Sequence, residues 1–153
     1  MRAVMRSEVE VAAPADVVWD YVTDWPRQGE WIPFTQVEQL GPAHGVGGRI
    51  RAWTGIGPVG VWDPMTITAW EVGENGSARC EMLHTGRLLR GEAEFSVVER
   101  GFSACTFRWW EHLVIPGGRA GALAWKIGGR GMQKGVDLAL RRMAEQVTLH
   151  AAG

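Results

Sequence analysis

The sequence has almost no net charge. Sixteen basic residues stand against 17 acidic ones, for a formal net charge of −1 over 153 residues. A nucleic-acid partner is therefore not expected, because phosphate binding draws on a basic excess. No apolar run approaches the ~20 residues of a membrane span, so stable membrane insertion is not expected either. Met1 to Glu8 contains no apolar leader, and a cytoplasmic location is the expectation. Two cysteines, Cys80 and Cys105, are too few for a disulfide framework and read as reduced core thiols.

Chemical signatures are equally sparse. There is no Cys-x-x-Cys, no His-Glu-x-x-His and no Gly-x-Ser-x-Gly. Cys80 and His84 stand four apart on one predicted strand, about 13 Å, too far to share an ion unaided. Gly55 to Gly60 has the glycines of a phosphate loop but no following Lys-Ser/Thr or helix, and reads as a hairpin. No metal and no cofactor are implied.

What the chain does contain is apolar residues (46%), nine tryptophans and 21 glycines. At this length a single domain over residues 1–153 is expected, burying about 70% of its unfolded surface. Residues 2–11 end in a period-two run and predict a strand. Ala13-Pro14-Ala15-Asp16 opens a helix with proline and an acid in its first turn. Asp24-Trp25-Pro26 starts a second short helix, which Pro33 stops. Six strand-like runs follow, at roughly 34–40, 47–54, 60–71, 77–85, 89–99 and 102–113. Their breaks carry turn chemistry, so an antiparallel meander is predicted. From about residue 119 to 149 the period becomes helical, with Trp125, Gly129, Met132, Val136, Leu140, Met143 and Val147 on one stripe. The sum is an α+β fold: a seven-stranded curved antiparallel sheet wrapped around a long C-terminal helix, with two short helices after strand 1. A wedge between sheet and helix is either plugged by large side chains or left as a cavity.

The pattern Ala13-Pro14-x-x-Val17-x-Trp19, then Asp24, then Trp31-x-Pro33, is similar to that of the START-like (SRPBCC, helix-grip) superfamily. Gly45-x-Gly47, Gly91 and the closing helix add to the resemblance, which covers essentially the whole chain. It is closest in kind to small bacterial polyketide cyclase/dehydrase-like members. The resemblance implies the helix-grip fold and leaves activity open, because the fold hosts carriers, cyclases and chaperone-like modules alike.

Alternation assigns faces. Cys105, Phe107, Trp109, Glu111 and Leu113 are expected to face the helix, as are Ala93, Phe95 and Val97, then Ala78, Cys80, Met82 and His84, then Met65, Ile67 and Ala69. His84 and Glu111 are the two polar residues on this inner face. Tight turns would place His84 opposite Leu89 or Gly91, and Glu111 opposite one of the same two. Sharing Gly91, they would lie in one row and meet over it, directly or through a water. They are the candidate catalytic pair. Simple mutual satisfaction, ligand orientation and acid/base chemistry are all open to them. Candidate ligand-binding residues are Met65, Ile67, Met82, Phe95, Phe107, Trp109, Trp125, Met132 and Val136.

Three readings of function follow. The first is binding of a small hydrophobic or aromatic ligand, lipid- or polyketide-like, in the internal cavity. The second is a cofactor-independent cyclase/dehydratase-type enzyme using His84 and Glu111. The third is a protein-interaction module with a collapsed cavity, working through outer tryptophans such as Trp62 and Trp110. A homodimer is compatible with all three.

Overall fold

Period-two alternation builds the sheet, and the computed structural model describes residues 1–153. Strand β1 (Arg2–Val11) leads into helix α1 (Ala15–Val22) and a short 3₁₀ helix (Trp25–Glu30). Strands β2 (Thr35–Gln39), β3 (Arg49–Ile56), β4 (Val59–Val72), β5 (Ala78–Thr85), β6 (Arg90–Glu99) and β7 (Cys105–Val114) follow, and helix α2 (Gly118–Ala152) closes the chain. All seven strands form one antiparallel sheet in the order β1-β7-β6-β5-β4-β3-β2. This is the predicted α+β helix-grip architecture.

The predicted inner face of β5, β6 and β7 holds. Ala78, Cys80, Met82 and His84 are buried, as are Ala93, Phe95, Val97, Cys105, Phe107, Glu111 and Leu113. Strand β4 departs from simple alternation. Ile67 stands opposite Met82, yet Ala69 stands opposite Glu81, so Thr68 is an extra residue. This bulge turns Ala69 to the outer face, against expectation, and brings Trp70 inward opposite Cys80. There Trp70 meets Trp19 at 5.1 Å between ring centroids and stacks on His44 at 4.9 Å.

One end of the wedge is solid. Trp31, fully buried, touches Phe95, Phe107 and Trp109 with ring centroids 6.1–6.3 Å apart. Phe95 also packs edge-on against Phe107 and Trp109 at 5.3 and 5.2 Å. Such aromatic pairs add to the burial of their apolar area. Trp25 is buried here too, and its indole N–H donates to the Ala43 carbonyl.

Helix α2 has 35 residues, about 52 Å of rise. Its C-terminal half is anchored by Val136, Ala139, Leu140, Met143 and Val147, all buried. Ser7 donates to Asp137 at 2.6 Å, and Gln133 donates to the Arg6 carbonyl at 3.0 Å, tying the helix to β1. Its N-terminal half buries no residue fully, and Leu123 and Ile127 are exposed. Gly128, Gly129, Gly131 and Gly135 fall along this looser stretch and its junction with the anchored half. No helix of the structure is long and apolar enough to cross a membrane.

Candidate functional site

The other end of the wedge is hollow. A cavity of about 630 Å³ lies between the inner face of the sheet and α2, and its lining is mostly apolar. The sheet supplies Met5, Val37, Ile50, Ala52, Met65, Met82, Ala93, Phe95 and Trp109. Phe34, Leu88, Gly131, Met132 and Gly135 complete it from the loops and from α2. Phe34, Leu88 and Met132 are exposed, which marks the rim where the hollow meets solvent. Phe34 holds a left-handed backbone (φ 58°), uncommon for a side chain of this size, and its carbonyl accepts from the Gly55 N–H.

Of the candidate ligand-binding residues, Met65, Met82, Phe95, Trp109, Met132 and Val136 line this hollow. Ile67, Phe107 and Trp125 do not. Ile67 is buried beside the backbone of Gly48, whose carbonyl accepts from the Ile67 N–H. Phe107 lies in the solid aromatic end against Trp31 and Phe95. Trp125 folds along its own helix over Gly129, whose missing Cβ leaves the space its indole occupies. Of the two candidate tryptophans, Trp109 alone lines the hollow.

His84 and Glu111 both line the hollow, but their register differs from expectation. His84 stands opposite Gly91, while Glu111 stands opposite Ala93 and Leu113 takes the place beside Gly91. Residues 100–104 form a longer connection than a two-residue turn, so β7 slides by two positions. An even slide keeps every side chain on its predicted face and moves Glu111 out of the row of His84. The two are diagonal neighbours with no hydrogen bond between them.

His84 is held by a different acid. Its Nδ1 lies 2.8 and 3.0 Å from the two carboxylate oxygens of Asp63 on β4. Asp63 is itself buried and lines the hollow. Sequence reasoning missed it, although continuing the alternation of β4 back from Ile67 and Met65 reaches Asp63 on the same face. Glu111 accepts a hydrogen bond of 2.9 Å from Trp109 Nε1 on its Oε1. Two buried side-chain nitrogens have no partner: His84 Nε2 and Trp31 Nε1.

These contacts set the electrostatics. Burial alone would lower the pKa of His84. The hydrogen bond and charge of Asp63, with a smaller contribution from Glu111, outweigh it and raise the imidazole above its ordinary value. Burial raises the Glu111 carboxyl, opposed by the charge of His84 and the Trp109 hydrogen bond. The cluster thus favours an Asp63–His84 ion pair beside a carboxyl that resists ionisation. No group of three or more His, Cys, Asp or Glu side chains is placed to hold a metal ion.

The fold recurs in solved structures. The Zhui aromatase/cyclase from Streptomyces sp. R1128 superposes with a TM-score of 0.76 at 16% identity, over 100% of this chain and 99% of that one. A START superfamily protein from Mycobacterium smegmatis gives 0.72 at 18%, over 95% and 99%. Norcoclaurine synthase from Thalictrum flavum, in complex with dopamine and hydroxybenzaldehyde, gives 0.66 at 19%, over 98% and 88%. At these identities the likeness is one of fold. No curated protein matches the chain in sequence. Residues 2–148 match the family described as "Polyketide cyclase / dehydrase and lipid transport". With the sheet and the closing helix recurring in these structures and the family match spanning nearly all of it, the chain belongs to the polyketide cyclase/dehydrase and lipid transport family.

Proposed function

We propose that this protein binds a small, mainly apolar molecule, lipid- or polyketide-like, in the hollow between the sheet and α2. The observation that carries the reading is the cavity itself, about 630 Å³ and largely apolar. That volume falls in the range of small-molecule sites, where a few placed polar groups orient an apolar ligand. Here Asp63, His84 and Glu111 are those groups. Met65, Met82, Phe95, Trp109, Met132 and Val136 shape the body of the ligand. The reading as an interaction module with a collapsed cavity is the less favoured one, because the interior holds a hollow of about 630 Å³.

A second reading is supported by the state of the polar cluster. His84 Nε2 is buried and unpartnered, and both His84 and Glu111 have raised values, so the pair holds protons beside a mainly apolar chamber. Proton transfer to and from a ligand oxygen is the chemistry of a cyclase or dehydratase.

Native mass spectrometry of the protein isolated from its own host tests the first reading. A co-purified apolar molecule, lost when the hollow is filled, supports it. An interior that takes up no such molecule overturns it. His84→Gln and Glu111→Gln separate the two readings, since a loss of turnover at unchanged affinity marks catalysis.

A further inference from the structure

We propose that Asp63 is a positioning residue of the site: it locks the proton of His84 on Nδ1 and commits Nε2 as the imidazole atom that meets an oxygen of the ligand. The inference rests on reading the hollow as a ligand chamber. It adds the chemical class of the ligand, an apolar body bearing a ketone or hydroxyl oxygen.

The argument is geometric. Asp63 and His84 project from neighbouring strands onto the same face, and both carboxylate oxygens lie within 3.0 Å of Nδ1. A carboxylate only accepts, so Nδ1 carries a proton whether the ring is neutral or charged. Nε2 then has one role in each state. In the neutral ring it is a lone pair that accepts from a hydroxyl. In the charged ring it is an N–H that donates to a carbonyl. No protein group meets it in either state, though the residue is buried and lines the hollow. Without Asp63 the neutral ring is free to take either tautomer, and the distinction is lost.

The surroundings leave His84 few other influences. Asp63 on β4 and Glu111 on β7 are the titratable groups that act on it. Gly91 stands opposite it on β6, and α2 lines the hollow with Gly131, Met132, Gly135, Val136 and Leu138, none of them titratable. The site therefore favours a carbonyl-bearing ligand while His84 is protonated and a hydroxyl-bearing one after it loses that proton.

The test uses two probes of nearly equal shape, 2-acetylnaphthalene and 2-isopropenylnaphthalene. Their binding is followed by tryptophan fluorescence from about pH 5 to pH 9, across the range of histidine titration. In the wild type the ketone-to-olefin affinity ratio should fall about tenfold as His84 loses its proton, the size expected for one hydrogen bond. In Asp63→Asn the midpoint should move to lower pH and the change should shrink to about twofold. An Asp63→Asn ratio that follows the wild-type curve overturns the positioning role. Nitrogen-15 shifts of His84 in the wild type provide a second reading that does not depend on the variant folding. A proton resident on Nδ1 at every pH supports the proposal, and a neutral ring protonated on Nε2 overturns it. Ala93→Phe, which fills the hollow, should weaken both probes. If the wild type binds neither, or Ala93→Phe changes neither, the chamber reading falls and this one with it. If both bind in the hollow with a ratio indifferent to pH and to Asp63, only the positioning role falls.

Discussion

Trp109 donates its indole N–H to Glu111, two residues further along the same strand, at 2.9 Å. Both side chains face the hollow, so the largest group on that stretch of wall also holds its most buried acid. Trp109→Phe keeps most of the ring and removes the donor. A hydrogen bond to a carboxylate is worth about 1.5–3 kcal/mol, so the variant should lose stability on that scale where Glu111 is ionised. Below the value of the folded carboxyl, which burial raises above the ordinary 4.5, the loss should be smaller, because the protonated acid relies less on the donor. Urea denaturation on both sides of that value checks this, and an equal loss at both would contradict it.

The pH dependence of stability follows from the directions of shift. Burial raises Glu111, and the net effect of burial and Asp63 raises His84, so the folded state binds both protons more tightly than the unfolded one. Each contribution is complete below the unfolded values, 4.5 and 6.5, and is lost as pH rises through the raised folded values. Glu111→Gln removes the carboxyl part. Its stability relative to wild type should improve steadily as pH climbs above 4.5. Denaturation curves at a series of pH values measure the gap, and a pH-independent gap would refute the assignment.

Gly91 and Gly128 make opposite predictions. Gly91 has φ +134°, and a Cβ there would lie 1.9 Å from the carbonyl oxygen of His112. Gly91→Ala should therefore cost about 3 kcal/mol or more, combining backbone strain with a forced shift of β7. Gly128 is helical and a Cβ there meets nothing within 4 Å. Gly128→Ala should stabilise by up to about 1 kcal/mol. Thermal melts followed by circular dichroism distinguish the two signs.

Both cysteines should be silent in the folded protein. Cys80 and Cys105 are fully buried, and burial pushes their thiols up to about 12 and about 11. The thiolate is the reactive form, so labelling by a disulfide reagent should proceed only through opening of the structure. Labelling rates should match hydrogen exchange of the β5 and β7 amides. A fast phase at neutral pH would show that one of these strands is open.

The architecture was readable because its signals are local. Period-two runs such as Cys105 to Leu113 state both strand and face, and the stripe from Val136 to Val147 states the helix. The inner placement of His84 and Glu111 followed from the same parity. Their partners were not readable, because partners depend on register. Residues 100–104 give no clear turn chemistry beyond Gly101, so the two-position slide of β7 could not be anticipated from residue types. The β4 bulge at Thr68 lacks a glycine to announce it. Asp63 sits in a stretch with glycine at 60 and proline at 64, where alternation is hard to trust. Ile67, Phe107 and Trp125 were placed on the correct elements. Whether each reached the hollow depended on depth along the wedge, a quantity that face assignment does not contain.

Helix α2 is anchored along one half and loosely seated along the other, while every acid and imidazole of the site projects from strands. On the proposed reading of the hollow, the polar contacts come from the strands and α2 contributes apolar wall alone. Substitutions at Gly131, Met132 and Gly135 would on that reading reshape the apolar wall, while the polar groups inside stay where the ladder fixes them. A protein so divided has two independent dials, and a lineage could turn one without disturbing the other.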